Sequence, residues 1–125
     1  MSVTLAFSGA ELAGFSCFLF DQETEFGTYL HNLYINPDHQ RKGVALGLLT
    51  ASLRKFSLRQ RTKAVHLLTL ADNYAARRFY EGLNGRLIEE KRNVMARYPE
   101  VAYVRYQWRS AQELDDITSN ISHKS

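Results

Sequence analysis

The sequence predicts a mixed α+β (α/β) domain built on one sheet, with elements in the order β-β-β-α-β-α-β-β. Three observations predict it. Short apolar or alternating segments occupy both ends of the chain. Helical spacing of apolar residues replaces them after Gly43 and again after Asn73. The strand, helix, strand order between residues 28 and 70 is that of a right-handed βαβ unit, whose strands are parallel.

Residues 3–7 read as a short strand, Ser8-Gly9-Ala10 as a turn, and 12–20 as the return strand of a hairpin. Residues 21–27 form an acidic loop. Residues 28–35 form a third strand. Alternation puts Tyr29, His31, Leu33 and Ile35 on one face and Leu30, Asn32 and Tyr34 on the other. Asn36-Pro37-Asp38 ends it. Ala45, Leu49, Leu53 and Phe56, with Leu48 beside them, mark a helix. Arg54, Lys55 and Arg59 fall near its end, where cations suit the dipole. The run AVHLLTL at 64–70 suits a strand buried on both faces. Asp72 or Asn73 caps a second helix over 74–81, which Gly82-Leu83-Asn84-Gly85 stops. Residues 86–92 and 101–108 form two last strands, joined by a loop containing Pro99. Ala102, Val104, Tyr106 and Trp108 share a face of the final strand. Beyond Arg109 the chain turns polar, and a frayed helix or disorder is expected. The organisation is one domain over 1–109 with a polar tail over 110–125.

Composition narrows the function classes. The chain has 125 residues, of which 45% are apolar, enough for one globular core. No apolar run approaches the ~20 residues that span a bilayer. The first 20 residues carry no basic segment of the kind that opens a secretory signal. Cys17 is the only cysteine, which excludes an intrachain disulfide and cysteine-rich zinc sites. A reducing, cytoplasmic setting and no metal are the expectations. Charge is unevenly distributed along the chain. Residues 1–40 hold five acids and no Lys or Arg, whereas residues 41–125 hold all 16 basic residues and eight acids. Such asymmetry suits an anionic ligand at one place and a cationic one at another, although folding can also disperse it over the surface.

Gln40-Arg41-Lys42-Gly43-Val44-Ala45 follows a strand and opens a helix. The first N–H groups of a helix lack intrahelical partners, and the dipole adds about half a positive charge there. Gly43 and the small Ala45 admit a ligand to the backbone, and Arg41 and Lys42 add two formal charges. The segment is therefore a candidate phosphate or pyrophosphate site. It is neither a P-loop nor a dinucleotide fingerprint. A plain helix start with solvated basic residues is the alternative reading.

Two segments together carry a family resemblance. The first runs from Tyr29-Leu30-His31-Asn32-Leu33-Tyr34-Ile35-Asn36-Pro37 into Gln40-Arg41-Lys42-Gly43-Val44-Ala45 and on to Leu48-Leu49. It is similar to the Q/R-x-x-G-x-G/A acetyl-CoA motif of the GCN5-related N-acetyltransferase (GNAT) superfamily. The second, Ala71-Asp72-Asn73 through Ala76-Arg77-Arg78-Phe79-Tyr80-Glu81 to Leu83-Asn84-Gly85, resembles that family's N-x-x-A-x-x-F-Y-x-x-x-G motif. The resemblance covers about residues 3–108. It implies the GNAT fold and transfer of an acetyl group from acetyl-CoA to a primary amine in a ternary complex. It implies that the backbone of Leu33, Tyr34 and Ile35 pairs with the pantetheine arm. Gln40, Arg41, Lys42, Gly43, Val44 and Ala45 would hold the pyrophosphate. Asn73 would contact the amide arm or thioester region, and Tyr80 would protonate the leaving thiolate. Core packing for Tyr80 and a plain helix cap for Asn73 are the structural alternatives.

An amine must be neutral to attack. Some family members use a third-strand glutamate acting through water; here the matching region offers His31 as candidate base. An exposed strand histidine is the plainer reading of that residue. His66 reads as a hydrogen-bonded core histidine, His39 as a turn residue beside the phosphate loop, and Cys17 as a small buried hydrophobe. The acidic segment 21–25 hints at a cationic acceptor.

The resemblance also shows a departure. The family fold usually begins with a strand and two helices before the hairpin, and here the hairpin opens the chain. Acceptor identity is then unreadable, and apolar surface is left to be shielded. A homodimer is the expectation, with the partner chain, or else the 110–125 tail, covering that surface. The departure keeps a second class open, a non-catalytic acyl-CoA-binding remnant. A basic nucleic-acid module is a third class. It is disfavoured because Tyr103, Tyr106 and Trp108 fall on both faces of one strand, and no nucleic acid or membrane partner is expected.

Overall fold

A computed structural model describes residues 1–22, 25–92 and 101–124. Its strands are β1 (Ser2–Ser8), β2 (Glu11–Leu19), β3 (Thr28–Ile35), β4 (Val65–Leu70), β5 (Arg86–Arg92) and β6 (Ala102–Trp108). They form one six-stranded mixed sheet in the order β1-β2-β3-β4-β6-β5. The helices are α1 (Val44–Arg54), α2 (Leu58–Arg61), α3 (Tyr74–Gly82) and α4 (Ala111–Lys124), with a 3-10 turn at Pro37–His39. The expected α+β order therefore holds for all eight elements, with α2 and α4 added. The Pro99 loop and Glu23 of the acidic segment lie outside the described residues.

The core lies on one side of the sheet. Phe18, Leu30, Val65, Leu67, Val104, Tyr106 and Trp108 from the strands join Leu49 and Leu53 of α1 in one buried cluster. Phe79 and Tyr80 of α3 pack against it. Burying each such side chain contributes about 1.5–3 kcal/mol. Cys17 is buried and free, as a small hydrophobe would be. On the opposite side the fully buried His66 accepts a 2.7 Å bond at Nδ1 from Arg105, which has only donors. The Arg105 guanidinium lies 4.0 Å over the Phe26 ring, which helps offset the cost of burying that charge.

Three differences from the sequence expectation have physical causes. The third strand does not alternate throughout. Phe18 pairs with Leu30 but Cys17 pairs with Asn32, so β3 carries a bulge at His31. The bulge inverts the faces beyond it. Leu33 packs against the core on the same side as Leu30, while Tyr34 turns away, 5.5 Å from the Phe15 ring. Second, α1 stops at Arg54 and Arg59 belongs to α2. Ser57 and Gln60 form a reciprocal capping box that starts a new helix.

Third, the described residues after Arg109 form a packed helix rather than a tail. It is α4, and it packs along α1 with Ala111, Leu114 and Thr118 buried. Its apolar residues sit at helical spacing among polar ones, so mean polarity hid an amphipathic stripe. The Ala111 amide donates to the Lys63 carbonyl at 2.8 Å, and Arg61 meets Asp115 at 2.9 Å. Because α4 lies against α1, it does not cover the opposite side of the β1–β2 hairpin. Replacing Leu114 with Ala should lower unfolding stability by about 2–5 kcal/mol in a urea titration, a loss that a dispensable tail would not produce.

Candidate functional site

The site begins with the β3 bulge. Strands β3 and β4 are parallel and pair only at Thr28↔Val65 and Tyr29↔His66. Beyond those two pairs the strands part, and the second half of β3 leaves its edge toward β4 unpaired. An unpaired strand edge presents N–H and C=O groups that an extended ligand can meet as a further strand would.

The helix after β3 is set up for an anion. Gly43 at its N-cap has φ +78°, and Arg41 two residues earlier has φ +64°, so two left-handed residues turn the chain sharply into α1. A Cβ on Gly43 would meet no protein atom within 4 Å, so the space beside the backbone is open. No side chain caps this helix and no acid stands in its first turn. The contrast with its neighbours is plain, since α2 is capped by Ser57 and α3 by Asn73. The leading amides of α1 and its dipole thus face outward without a protein-supplied negative group. Asn36 holds the approach to this corner, donating to Glu11 Oε1 at 3.0 Å and the Leu12 carbonyl at 3.2 Å.

A cleft of about 510 Å³ runs from this corner between β3 and α3. Leu33 and Ile35 line one wall; Gln40, Arg41 and Ala45 line the end; Asn73 and Tyr80 line the other wall. Gly43 and Val44 border an adjoining recess of about 370 Å³ that shares Ile35, Gln40, Arg41 and Ala45. These residues were read together from the sequence, and the structure brings them together. Three others lie elsewhere. Lys42 and again Val44 line a separate groove between α1 and β1. Tyr34 is exposed on the far side of the sheet, and its carbonyl lies close to Gly14 of β2. His31 is exposed at the bulge, 5.6 Å from the Tyr29 ring, which itself stacks on His66 across the far side of the sheet. His39 lies 3.4 Å from Glu11, beside the loop, as a turn residue.

Sequence reasoning missed Ala75, Ala76, Arg78 and Phe79 as cleft residues. The signal was present in the small residues of the first turn of α3, which leave space against β3. α3 itself is held firmly. Arg77 donates to the Ala71 carbonyl at 2.8 Å and to the Tyr106 hydroxyl at 3.1 Å, Tyr106 donates to Glu81, and Trp108 Nε1 donates to the Leu83 carbonyl at 2.8 Å. Burial pushes the Tyr106 phenol upward.

Two cleft side chains carry chemistry. Asn73 Oδ1 accepts from the Ala76 amide at 3.2 Å, so its cap role commits the oxygen and leaves the Nδ2 amino group to face the cleft. Tyr80 packs its ring against Phe79, Tyr106 and Trp108, and burial pushes its phenol up to about 12. It therefore keeps its proton throughout the physiological range, and a protonated phenol can donate a hydrogen bond. Among the described residues, no group of three or more His, Cys, Asp or Glu could hold a metal ion, and no helix is long and apolar enough to cross a membrane.

Comparison with known proteins places this geometry. A family model described as the acetyltransferase (GNAT) family matches residues 1–85. No curated protein sequence matches the chain. Among solved structures, the ribosomal-protein-S18-alanine N-acetyltransferase of Escherichia coli is 22% identical with a TM-score of 0.63, over 81% of this chain and 63% of that one. Arabidopsis thaliana Naa50, solved with the bisubstrate analogue CoA-Ac-MVNAL, is 14% identical with a TM-score of 0.68, over 85% and 71%. A GNAT-family acetyltransferase of Bacillus cereus is 16% identical with a TM-score of 0.66, over 86% and 70%. At these identities the likeness is one of fold. Across these and five further solved structures the chain spans 60–71% of the other chain's length.

Two predictions follow from the cleft. Asn73→Ala should cost about 1 kcal/mol of stability through the lost cap, read by denaturant unfolding. The Tyr80 phenol is raised in the fold above its ordinary value of 10.0, so its contribution is intact below pH 10 and is lost as pH climbs toward about 12. The loss is about 3 kcal/mol at roughly 1.4 kcal/mol per pH unit, and Tyr80→Phe should lessen it in alkaline unfolding curves.

Proposed function

The chain belongs to the GNAT family of acetyltransferases, and from that premise we propose that it moves an acetyl group from acetyl-CoA to a primary amine by direct attack. The observation that carries the proposal is the uncapped start of α1, opening into a cleft that reaches Tyr80. Acetyl-CoA is anionic at its diphosphate end and extended along its pantetheine arm, and the two ends of this cleft have the matching chemistry.

In this reading the α1 amides after Gly43, with Arg41, hold the diphosphate. The parted edge of β3 from Leu33 to Ile35 pairs with the amide arm, and Asn73 Nδ2 adds a donor. The thioester then lies at the mouth of the split between β3 and β4. As the amine nitrogen bonds to the acetyl carbon, negative charge develops on the carbonyl oxygen, and a backbone N–H at the Leu33 end of the parted strand, away from the diphosphate, stabilises it. The carbon–sulfur bond then breaks, the amine gives up one proton, and sulfur gains one.

Tyr80 serves the sulfur. A phenol at about 12 is a weaker acid than a thiol near ~8.5, so handing over its proton outright costs about 5 kcal/mol. It stabilises the thiolate chiefly by hydrogen bonding, with proton transfer completed as the amine's proton replaces its own. His31 is the proposed base on the acceptor side. Its exposed place at the bulge, on the side of the sheet away from the helices, separates it from the cofactor cleft. The acceptor then approaches from the side opposite the cofactor.

Calorimetry with acetyl-CoA should show binding, and Gly43→Val should weaken it about tenfold, because a β-branched side chain is strained at φ +78° and crowds the open backbone. Unchanged affinity would remove the diphosphate assignment. With an accepted amine, free-thiol release should fall about 100-fold in Tyr80→Phe while acetyl-CoA affinity stays within about twofold. Acetyl-CoA binding without turnover across a broad amine panel would instead identify a non-catalytic binder.

A further inference from the structure

Arg77 and Arg78 are neighbours on α3, and the fold uses them differently. Arg77 is turned inward, bound to the Ala71 carbonyl and the Tyr106 hydroxyl and 3.9 Å from Glu81. The next residue of a helix lies about 100° further round. Arg78 accordingly reaches the exposed lip of the cleft wall, on the same side of α3 as the small Ala75 three residues earlier. Phe79 borders both the cleft and the recess at the start of α1, so this side of α3 is turned toward the α1 corner. Among the described residues neither the Arg78 side chain nor that of Arg41 has a hydrogen-bond or ion-pair partner. The residues that line the cleft include these two cations and no acid.

We infer that Arg78 binds the 3′-phosphate of coenzyme A and makes the cleft selective for the 3′-phosphorylated cofactor, an inference that rests on acetyl-CoA being the ligand of this cleft. Acetyl-CoA carries phosphate in two places, the diphosphate and a monoester on the ribose. The α1 amides and Arg41 answer the first, at the end of the cleft. The pantetheine arm runs from there along β3 toward Tyr80. The ribose is attached to the other side of the diphosphate, so it leaves by the lip, where Arg78 is the remaining cation. A phosphate monoester carries about −1.5 to −2 charge at neutral pH. A guanidinium presents a planar fork of donors that matches its oxygens two at a time. Ala75 leaves room for the sugar beside that fork.

Calorimetry at fixed ionic strength with acetyl-CoA and with acetyl-3′-dephospho-CoA tests this. The unaltered chain should bind acetyl-CoA about tenfold more tightly than the dephospho form. Arg78→Ala should lose that factor toward acetyl-CoA and hold its affinity for the dephospho form within about twofold. Arg78 is exposed, so circular dichroism should show the fold retained. Arg41→Ala, at the diphosphate end, should weaken both ligands alike and preserve their ratio. Equal affinity of the unaltered chain for the two forms, or a ratio that survives Arg78→Ala, would overturn the inference and leave the diphosphate assignment standing. An Arg78→Ala chain weakened equally toward both forms would also overturn it, by making Arg78 a second diphosphate ligand. A chain that binds neither form would overturn it together with the reading of the cleft.

Discussion

Everything in the site depends on one local irregularity, the extra residue His31 in β3 where two residues face one on β2. A bulge bends and re-aims the strand beyond it. With it, pairing to β4 ends after Tyr29↔His66, and the faces of β3 are exchanged beyond that point. Leu33 and Ile35 are delivered to the helix side, where they wall the cleft, and Tyr34 is sent to the other. A close approach on the far edge of β3 accompanies the bulge. A Cβ on Gly14 would lie 2.4 Å from the Tyr34 carbonyl, so glycine is the residue that lets β2 follow the displaced strand.

The second requirement is electrostatic incompleteness. Protein helices usually satisfy their first amides with a side chain, as Ser57 and Asn73 do here. The N-terminus of α1 breaks that habit and holds two left-handed residues in front of it. Non-glycine residues at positive φ carry a conformational cost, so Arg41 is held there against its own preference. Local consistency is given up at the place where a ligand would complete the structure, while α3 across the cleft is pinned by the Arg77–Tyr106–Glu81 bonds and Trp108.

Most of the fold was legible because its signals are short-range. Short apolar or alternating blocks located β1, β2, β3, β4 and β6, and the spacing of Ala45, Leu49 and Leu53 located α1. The cleft residues were legible through two motifs 30 or so residues apart, one of which ends a strand and the other of which caps a helix. The bulge was not legible, because alternation assumes one residue per partner and nothing in Tyr29-Leu30-His31-Asn32 announces an extra one. Residues 29–35 accordingly received the wrong faces beyond His31. The segment from Ala111 was misread for a different reason. Its buried stripe of Ala111, Leu114 and Thr118 is narrow and its remaining positions are polar, so composition outweighed periodicity. Lys42 neighbours Arg41 in sequence, and the structure places it along the groove between α1 and β1.

The strand order has a consequence for how the chain assembles. β6 follows β5 in sequence yet lies between it and β4. Among the described strands β5 pairs with β6 alone, so it is tied to the sheet only through β6. β6 in turn lies along β4 and carries Val104, Tyr106 and Trp108 to the core. The apolar edge of β4 is thus closed by residues far along the chain, Val65 by Trp108 and Leu70 by Tyr103, a non-local pairing of the kind that raises contact order.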